Sequence, residues 1–175
     1  MFHEALTHVA PLTEDGSVHV FVETPKGSRH KYDVDDHGLV RITVELPEGV
    51  SFPFSFGFVP NTKAPDGDPL DILLVTAGPV PAGALIEARV IGVLKMENDE
   101  DGQMTRNDRI VAVAKMSRVF SGVETLSDMR HGFAWDIEHF FATYNEMIER
   151  PFAIVGRGER DEAEAMLRDA IPGGA

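Results

Sequence analysis

The chain has 175 residues, 43% apolar and 26% charged, and its 16 basic against 29 acidic side chains leave a formal net charge of −13. That length suits one domain able to bury about two-thirds of its unfolded surface, and the apolar and charged fractions exclude wholesale disorder and a fibrous repeat. So acidic a chain repels phosphate backbones, which excludes generic nucleic-acid binding, while it attracts divalent cations; the lack of cysteine excludes a disulfide framework, a thiolate metal site and a cysteine nucleophile.

Residues 1–10 place no basic residue ahead of a long apolar run, so a signal peptide is not expected. Apolar runs such as Ile72 to Val75 are far too short to span a membrane. The expectation is a soluble, cytoplasmic protein with no membrane partner, and the missing cysteines fit a reducing compartment.

In chain order, residues 1–16 read as a loosely held leader ahead of a single domain over 17–175. Val18, Val20 and Val22 alternate with His19, Phe21 and Glu23, which predicts a strand. His30 to Val34 alternates again, with Lys31 and Asp33 on one face, and Asp35-Asp36-His37-Gly38 reads as a hairpin turn into a strand over Leu39 to Leu46. The aromatic stretch Phe52 to Phe58 carries a proline and a glycine that argue against a helix, and its phenylalanines form a period-two row suited to a sheet interior. Asn61 to Pro69 reads as a loop. Strands are predicted over Leu70 to Val75, Leu85 to Lys95 and Arg109 to Lys115, with an acidic loop over 97–108. Phe133, Ile137, Phe140, Phe141, Tyr144, Met147 and Ile148 recur at helical spacing. A short strand over Phe152 to Val155 precedes a last helix from Asp161, with Glu164 as a capping-box partner. Strands first and helices last predict an α+β fold around a closed or rolled antiparallel sheet.

The densest chemical signal is Asp66-Gly67-Asp68-Pro69-Leu70-Asp71, three carboxylates within six residues at a turn leading into an apolar strand. Converging carboxylates repel one another unless a cation sits between them, and hard oxygen donors suit Mg²⁺ or Mn²⁺. Glu23, Asp33, Asp99 and Asp108, with Lys31 and Arg109, are the further acids and cations that metal-assisted phosphoryl transfer would use. The seven histidines show no metal-ligand spacing. Trp135 is expected to pack, and Tyr144 is open to either packing or a phosphate contact.

The run Asp66 to Asp71 followed by Ile72-Leu73-Leu74-Val75 resembles the signature of the soluble family I inorganic pyrophosphatases. Val22-Glu23-Thr24-Pro25-Lys26-Gly27-Ser28 with Lys31-Tyr32-Asp33, Phe52-Pro53, Phe56-Gly57-Phe58, Ile91 to Met96, Arg109 to Val113 and His139 to Tyr144 are similar to further stretches of that family, in the same order. The resemblance implies a mainly-β fold, a small OB-like antiparallel β-barrel with flanking C-terminal helices. It implies hydrolysis of inorganic diphosphate to two phosphates by a metal-activated water, with Mg²⁺ (or Mn²⁺) as cofactor, and a homo-oligomer. By position, Asp66, Asp68, Asp71, Asp99, Asp108, Glu23 and Asp33 would serve the metals. Asp68 would help deprotonate the water, and Lys31, Arg109 and Tyr144 would contact phosphate.

The chain also departs from the family. Val44 stands where a phosphate-binding arginine is usual, and Arg41 lies three residues away on the other strand face. Asp33 replaces a glutamate, Phe56 a tyrosine, Arg109 a lysine and Asn145 a lysine. Asp99 best matches the first aspartate of the acidic loop, with Glu97 and Asp101 as alternatives. The second falls on Asn107 by strict count, with Asp108 beside it; the Arg-Asn-Asp-Arg run over 106–109 resembles a divergent bacterial branch. These departures leave a second reading, a catalytically weak homologue that binds metal and a phosphorylated ligand or acts on another diphosphate.

Overall fold

A computed structural model describes residues 6–35, 37–100 and 102–173. Nine strands and two helices follow in the order β1 (Val18–Thr24), β2 (His30–Val34), β3 (Val40–Glu45), β4 (Ser55–Phe58), β5 (Asp71–Val75), β6 (Leu85–Glu100), β7 (Gln103–Arg106), β8 (Arg109–Ala114), α1 (Phe133–Met147), β9 (Phe152–Glu159) and α2 (Arg160–Ala170). β2 and β3 form a separate two-stranded sheet; the other strands make one sheet. In it β1 pairs with β4, β4 with β5, β5 with β8, β8 with β6, and β6 again with β1, so the pairings return to their starting strand. The β5–β8 pair is parallel, so the sheet is mixed rather than wholly antiparallel as expected.

β5 is covered on both sides, as its unbroken apolar run requires. Ile72 and Leu74 face Val18, Val20, Val22 and, from α2, Ala163 and Leu167. Leu73 and Val75 face Ile91, Leu94 and, from α1, Phe133, Ile137 and Phe141. Each helix therefore seals one side of the sheet with the apolar stripe that its spacing predicts.

Several expectations change. The acidic stretch over 97–108 is no loop: β6 continues to Glu100 and turns back as β7, pairing Glu97 with Arg106 and Asn98 with Thr105. The apolar alternation of Leu94 and Met96 runs on into buried Asn98, so the strand does not stop where charge begins. The last helix starts at Arg160 without a side-chain cap; Glu164 turns instead to Arg160, 2.7 Å away. The phenylalanine row packs as expected, although the fully buried face of β4 is that of Ser55 and Gly57, and Phe56 and Phe58 on the other face are partly buried. Trp135 is 58% exposed and stacks on His139.

Residues 6–16, expected to be loosely held, are bonded along the sheet. The Asn61 side-chain amide donates to the Leu6 and Val9 carbonyls at 2.9 and 2.7 Å, His19 N–H donates to Pro11 O at 2.9 Å, and Lys115 binds Asp15 at 2.5 Å.

Gly57 lets β1 and β4 approach closely: a Cβ there would lie 1.9 Å from the Phe21 carbonyl oxygen, a backbone atom that cannot swing aside. Gly57→Ala is expected to destabilise the fold by about 2–3 kcal/mol in urea unfolding. Gly78→Ala, which meets nothing within 4 Å, should stay within about 0.5 kcal/mol of the parent.

Candidate active site

One open cavity of about 730 Å³ gathers most of the chemistry-bearing residues. Its floor is aromatic. The Phe56 ring sits between the rings of Phe52, Phe140 and Phe141, at 5.5, 6.2 and 5.4 Å, and so fastens β4 to α1. Without a hydroxyl, Phe56 contributes packing alone.

The turn before β5 carries Asp66 and Asp68 to the cavity. Gly67 adopts φ +96°, a left-handed conformation that side chains rarely tolerate, and its N–H donates to Ala64 O at 2.9 Å. Asp68 N–H donates to Asp66 Oδ1 at 3.1 Å, and Ala64 N–H to Asp68 O at 2.7 Å. Asp71 opens β5 and lies deeper, crowded by protein yet still 39% open through the cavity. Burial raises its pKa, Arg109 and Lys31 pull it back, and the charges of Asp66 and Asp68 push it up again.

Glu23 enters from the polar face of β1, as its alternation predicts. Its Oε1 accepts the Val34 N–H at 3.0 Å. Burial pushes its pKa up to about 7; that N–H and Lys31 oppose the rise, while Asp33 and Asp71 reinforce it. Lys31 and Asp33 share a face of β2, as expected, and pair directly; the other Asp33 oxygen accepts the Thr43 hydroxyl. Arg109 Nη2 lies 3.2 Å from Asp71 Oδ2, its Nη1 donates to Asn107 O at 2.8 Å, and its guanidinium stands 4.5 Å over the Phe141 ring. Tyr144 packs on Phe52 and Phe140 and also lines the cavity, with burial raising the pKa of its hydroxyl.

Other expected site residues fall elsewhere. Asp99 is not among the cavity residues: its carboxylate accepts the Gly102 N–H at 2.6 Å and closes the β6–β7 turn. Asp108 accepts the Met96 N–H at 3.0 Å and binds Arg106 at 2.7 Å, facing a small recess of about 30 Å³ that it shares with Asp66 and Asp71. Strand alternation explains the placement of Asp99, because the inward position beside it in β6 belongs to Asn98, which lines the cavity; Asn107, in the link between β7 and β8, lines it too. Asn98 is 2% exposed, and its Oδ1 finds no hydrogen-bond partner among the described residues. Of the alternatives for this loop, Glu97 is absent from the lining and Asp101 lies outside the described residues. Val44 pairs with Lys31 across the β2–β3 ladder but does not line the cavity; Arg41 turns to Asp35, 3.5 Å away. Asn145 donates back to Phe141 O at 2.8 Å within its own helix. Arg150, which the residue pattern did not mark, also lines the cavity.

Six carboxylates (Glu23, Asp33, Asp35, Asp66, Asp68 and Asp71) and three cations (Lys31, Arg109 and Arg150) therefore face one space. Among the described residues, no three His, Asp or Glu side chains are already drawn together as a ligand set. The donor set is nonetheless all hard oxygen with excess negative charge. That chemistry fits a divalent cation.

Glu23 binds its proton more tightly in the folded chain than in the unfolded one, so the stability it contributes is full below about pH 4.5 and is lost as pH rises through about 7. In EDTA, raising the pH from 4.5 to 8 is expected to cost the parent about 2 kcal/mol more than Glu23→Gln, read by urea unfolding.

Known proteins resemble this chain along most of its length. The inorganic pyrophosphatase family model matches residues 20–172. The inorganic pyrophosphatase of Nanoarchaeum equitans is 36% identical over 154 residues, covering 87% of this chain and 94% of that protein. That of Sulfolobus acidocaldarius is 37% identical over 158 residues, covering 88% and 89%. The crystal structure of the Thermus thermophilus inorganic pyrophosphatase superposes with a TM-score of 0.86 at 29% identity, covering 95% of this chain and 96% of that one. With the family model spanning nearly the whole domain and these relatives matching over most of their length, this chain belongs to the inorganic pyrophosphatase family.

Proposed function

We propose that this chain hydrolyses inorganic diphosphate to two phosphates, with a divalent cation, Mg²⁺ first and Mn²⁺ as the alternative, held by Asp66, Asp68 and Asp71. The observation that carries this reading is the meeting of those three carboxylates with Glu23, Asp33, Lys31 and Arg109 in one cavity of a chain that belongs to this family. A cation held there supplies charge neutralisation at phosphoryl oxygens and a lowered pKa for the attacking water.

The protein's own groups do the rest. Asp68, the most exposed of the three aspartates, accepts the proton of the attacking water at its carboxylate. Arg109, anchored by Asp71 and the Phe141 ring, presents a fixed cation to a phosphoryl oxygen. Lys31 does the same from β2, and the Tyr144 hydroxyl, protonated at neutral pH, donates a hydrogen bond to the leaving phosphate. The aromatic floor excludes water from below. Glu23 and Asp33 add outer negative charge around the cation.

The closed circuit of strand pairings supports reading the sheet as a small OB-like barrel flanked by the two helices. The proposal includes a cytoplasmic homo-oligomer that binds neither nucleic acid nor membrane. The net charge of −13 supports the exclusion of nucleic acid, and exposed Leu39, Val40 and Ile42 on the β2–β3 hairpin give assembly an apolar surface. Among the described residues, no helix is long and apolar enough to cross a membrane.

A second reading, a catalytically weak homologue that binds a phosphorylated ligand, is favoured by the neutral wall of Asn98 and Asn107 and by Phe56 in the floor. Phosphate release from diphosphate separates the two. The hydrolase reading expects Mg²⁺-dependent release that Asp68→Asn lowers by about 10²-fold or more. The weak-homologue reading expects no release above that variant, while Mg²⁺ and diphosphate together still raise the melting temperature.

A further inference from the structure

We infer that Arg150 binds a phosphoryl group of the substrate at the cavity rim. The inference deepens the diphosphatase reading above and rests on it for the identity of the ligand.

Three cations line the cavity, and two are already engaged with carboxylates: Lys31 with Asp33, and Arg109 with Asp71. Arg150 forms no ion pair with any described residue. Its Nε donates to Asp99 O at 3.1 Å, and its two terminal amino groups make no hydrogen bond to a described residue. Among the described residues it is thus the cavity cation whose charge and planar donor pair are left for an incoming anion.

The backbone holds Arg150 there by an uncommon device. α1 ends at Met147, and Glu149 adopts φ +55°, a left-handed conformation normally left to glycine or asparagine at a helix end. Arg150 N–H then closes on Asn145 O at 2.9 Å. Pro151 biases Arg150 toward an extended backbone, and Pro151 O accepts the Asp99 N–H at 3.0 Å. The Nε bond to Asp99 O ties the guanidinium to the same residue of the β6–β7 hairpin. Backbone and side chain are therefore both fixed to that hairpin, which reduces the ordering cost of gripping a ligand. An arginine so oriented offers paired N–H donors that match two oxygens of one phosphoryl group.

A cation after a helix C-terminus also interacts with the last carbonyls, a structural role that stability would report. The test therefore reads ligand affinity beside stability, with inorganic phosphate as probe, titrated by calorimetry in EDTA and in Mg²⁺, and with KM and kcat for diphosphate. Arg150→Gln is expected to weaken phosphate binding about tenfold in both conditions and to raise KM about tenfold, with kcat changed less than threefold. Arg150→Lys should recover part of the loss. Arg157→Gln, whose parent side chain pairs with Glu138 outside the cavity, should leave both constants unchanged. Wild-type phosphate affinity in Arg150→Gln, or a loss matched by Arg157→Gln, overturns the inference, as does a parent that binds no phosphate. A parent that binds phosphate through Arg150 yet releases none from diphosphate supports the inference and overturns the diphosphatase reading instead.

Discussion

Carboxylates that face one another across a narrow space repel unless something between them carries the opposite sign, and the organisation of this protein follows from that constraint. Glu23, Asp33, Asp66, Asp68 and Asp71 converge from β1, β2, the turn before β5 and β5 itself. Lys31 and Arg109 offset part of the charge, each bound to one aspartate. Burial raises the pKa of Glu23 and of Asp71, and the charges of neighbouring aspartates add to the rise at each. A cavity built this way is poised for cations, because each added positive charge relieves a repulsion that folding itself creates.

The scaffold makes that repulsion tolerable. β5 is clamped between two apolar clusters, so the strand that carries Asp71 cannot retreat from the charges around it. Gly67 closes the turn that presents Asp66 and Asp68. Phe52, Phe56, Phe140 and Phe141 fasten α1 to the sheet, and Tyr144 and Arg150, near its end, line the cavity together with the neutral Asn98 and Asn107. Among the described residues Arg150 makes no ion pair, so the cavity offers carboxylate oxygens to cations and the Arg150 guanidinium to an anionic oxygen.

Much of this was legible from residue pattern. The β1 valines, the shared face of Lys31 and Asp33, the carboxylate turn and the α1 stripe all rest on local periodicity or spacing, and tertiary structure agrees with local preference there. What escaped depends on long-range pairing. The acidic run after Met96 looks like a solvated loop until β7 and β9 pair with it on either side; only then does alternation turn Asn98 inward and Asp99 away. Asp108 faces aside because Arg106 and the Met96 N–H claim its oxygens, neither of which spacing reveals. Arg150 carried no pattern, since its position depends on one left-handed residue after a helix.

That the converging aspartates form a cation site is the central claim, and anomalous diffraction from crystals grown with Mn²⁺ tests it most directly. The account predicts manganese held by Asp66, Asp68 and Asp71. An aspartate turn that takes up no manganese would contradict it.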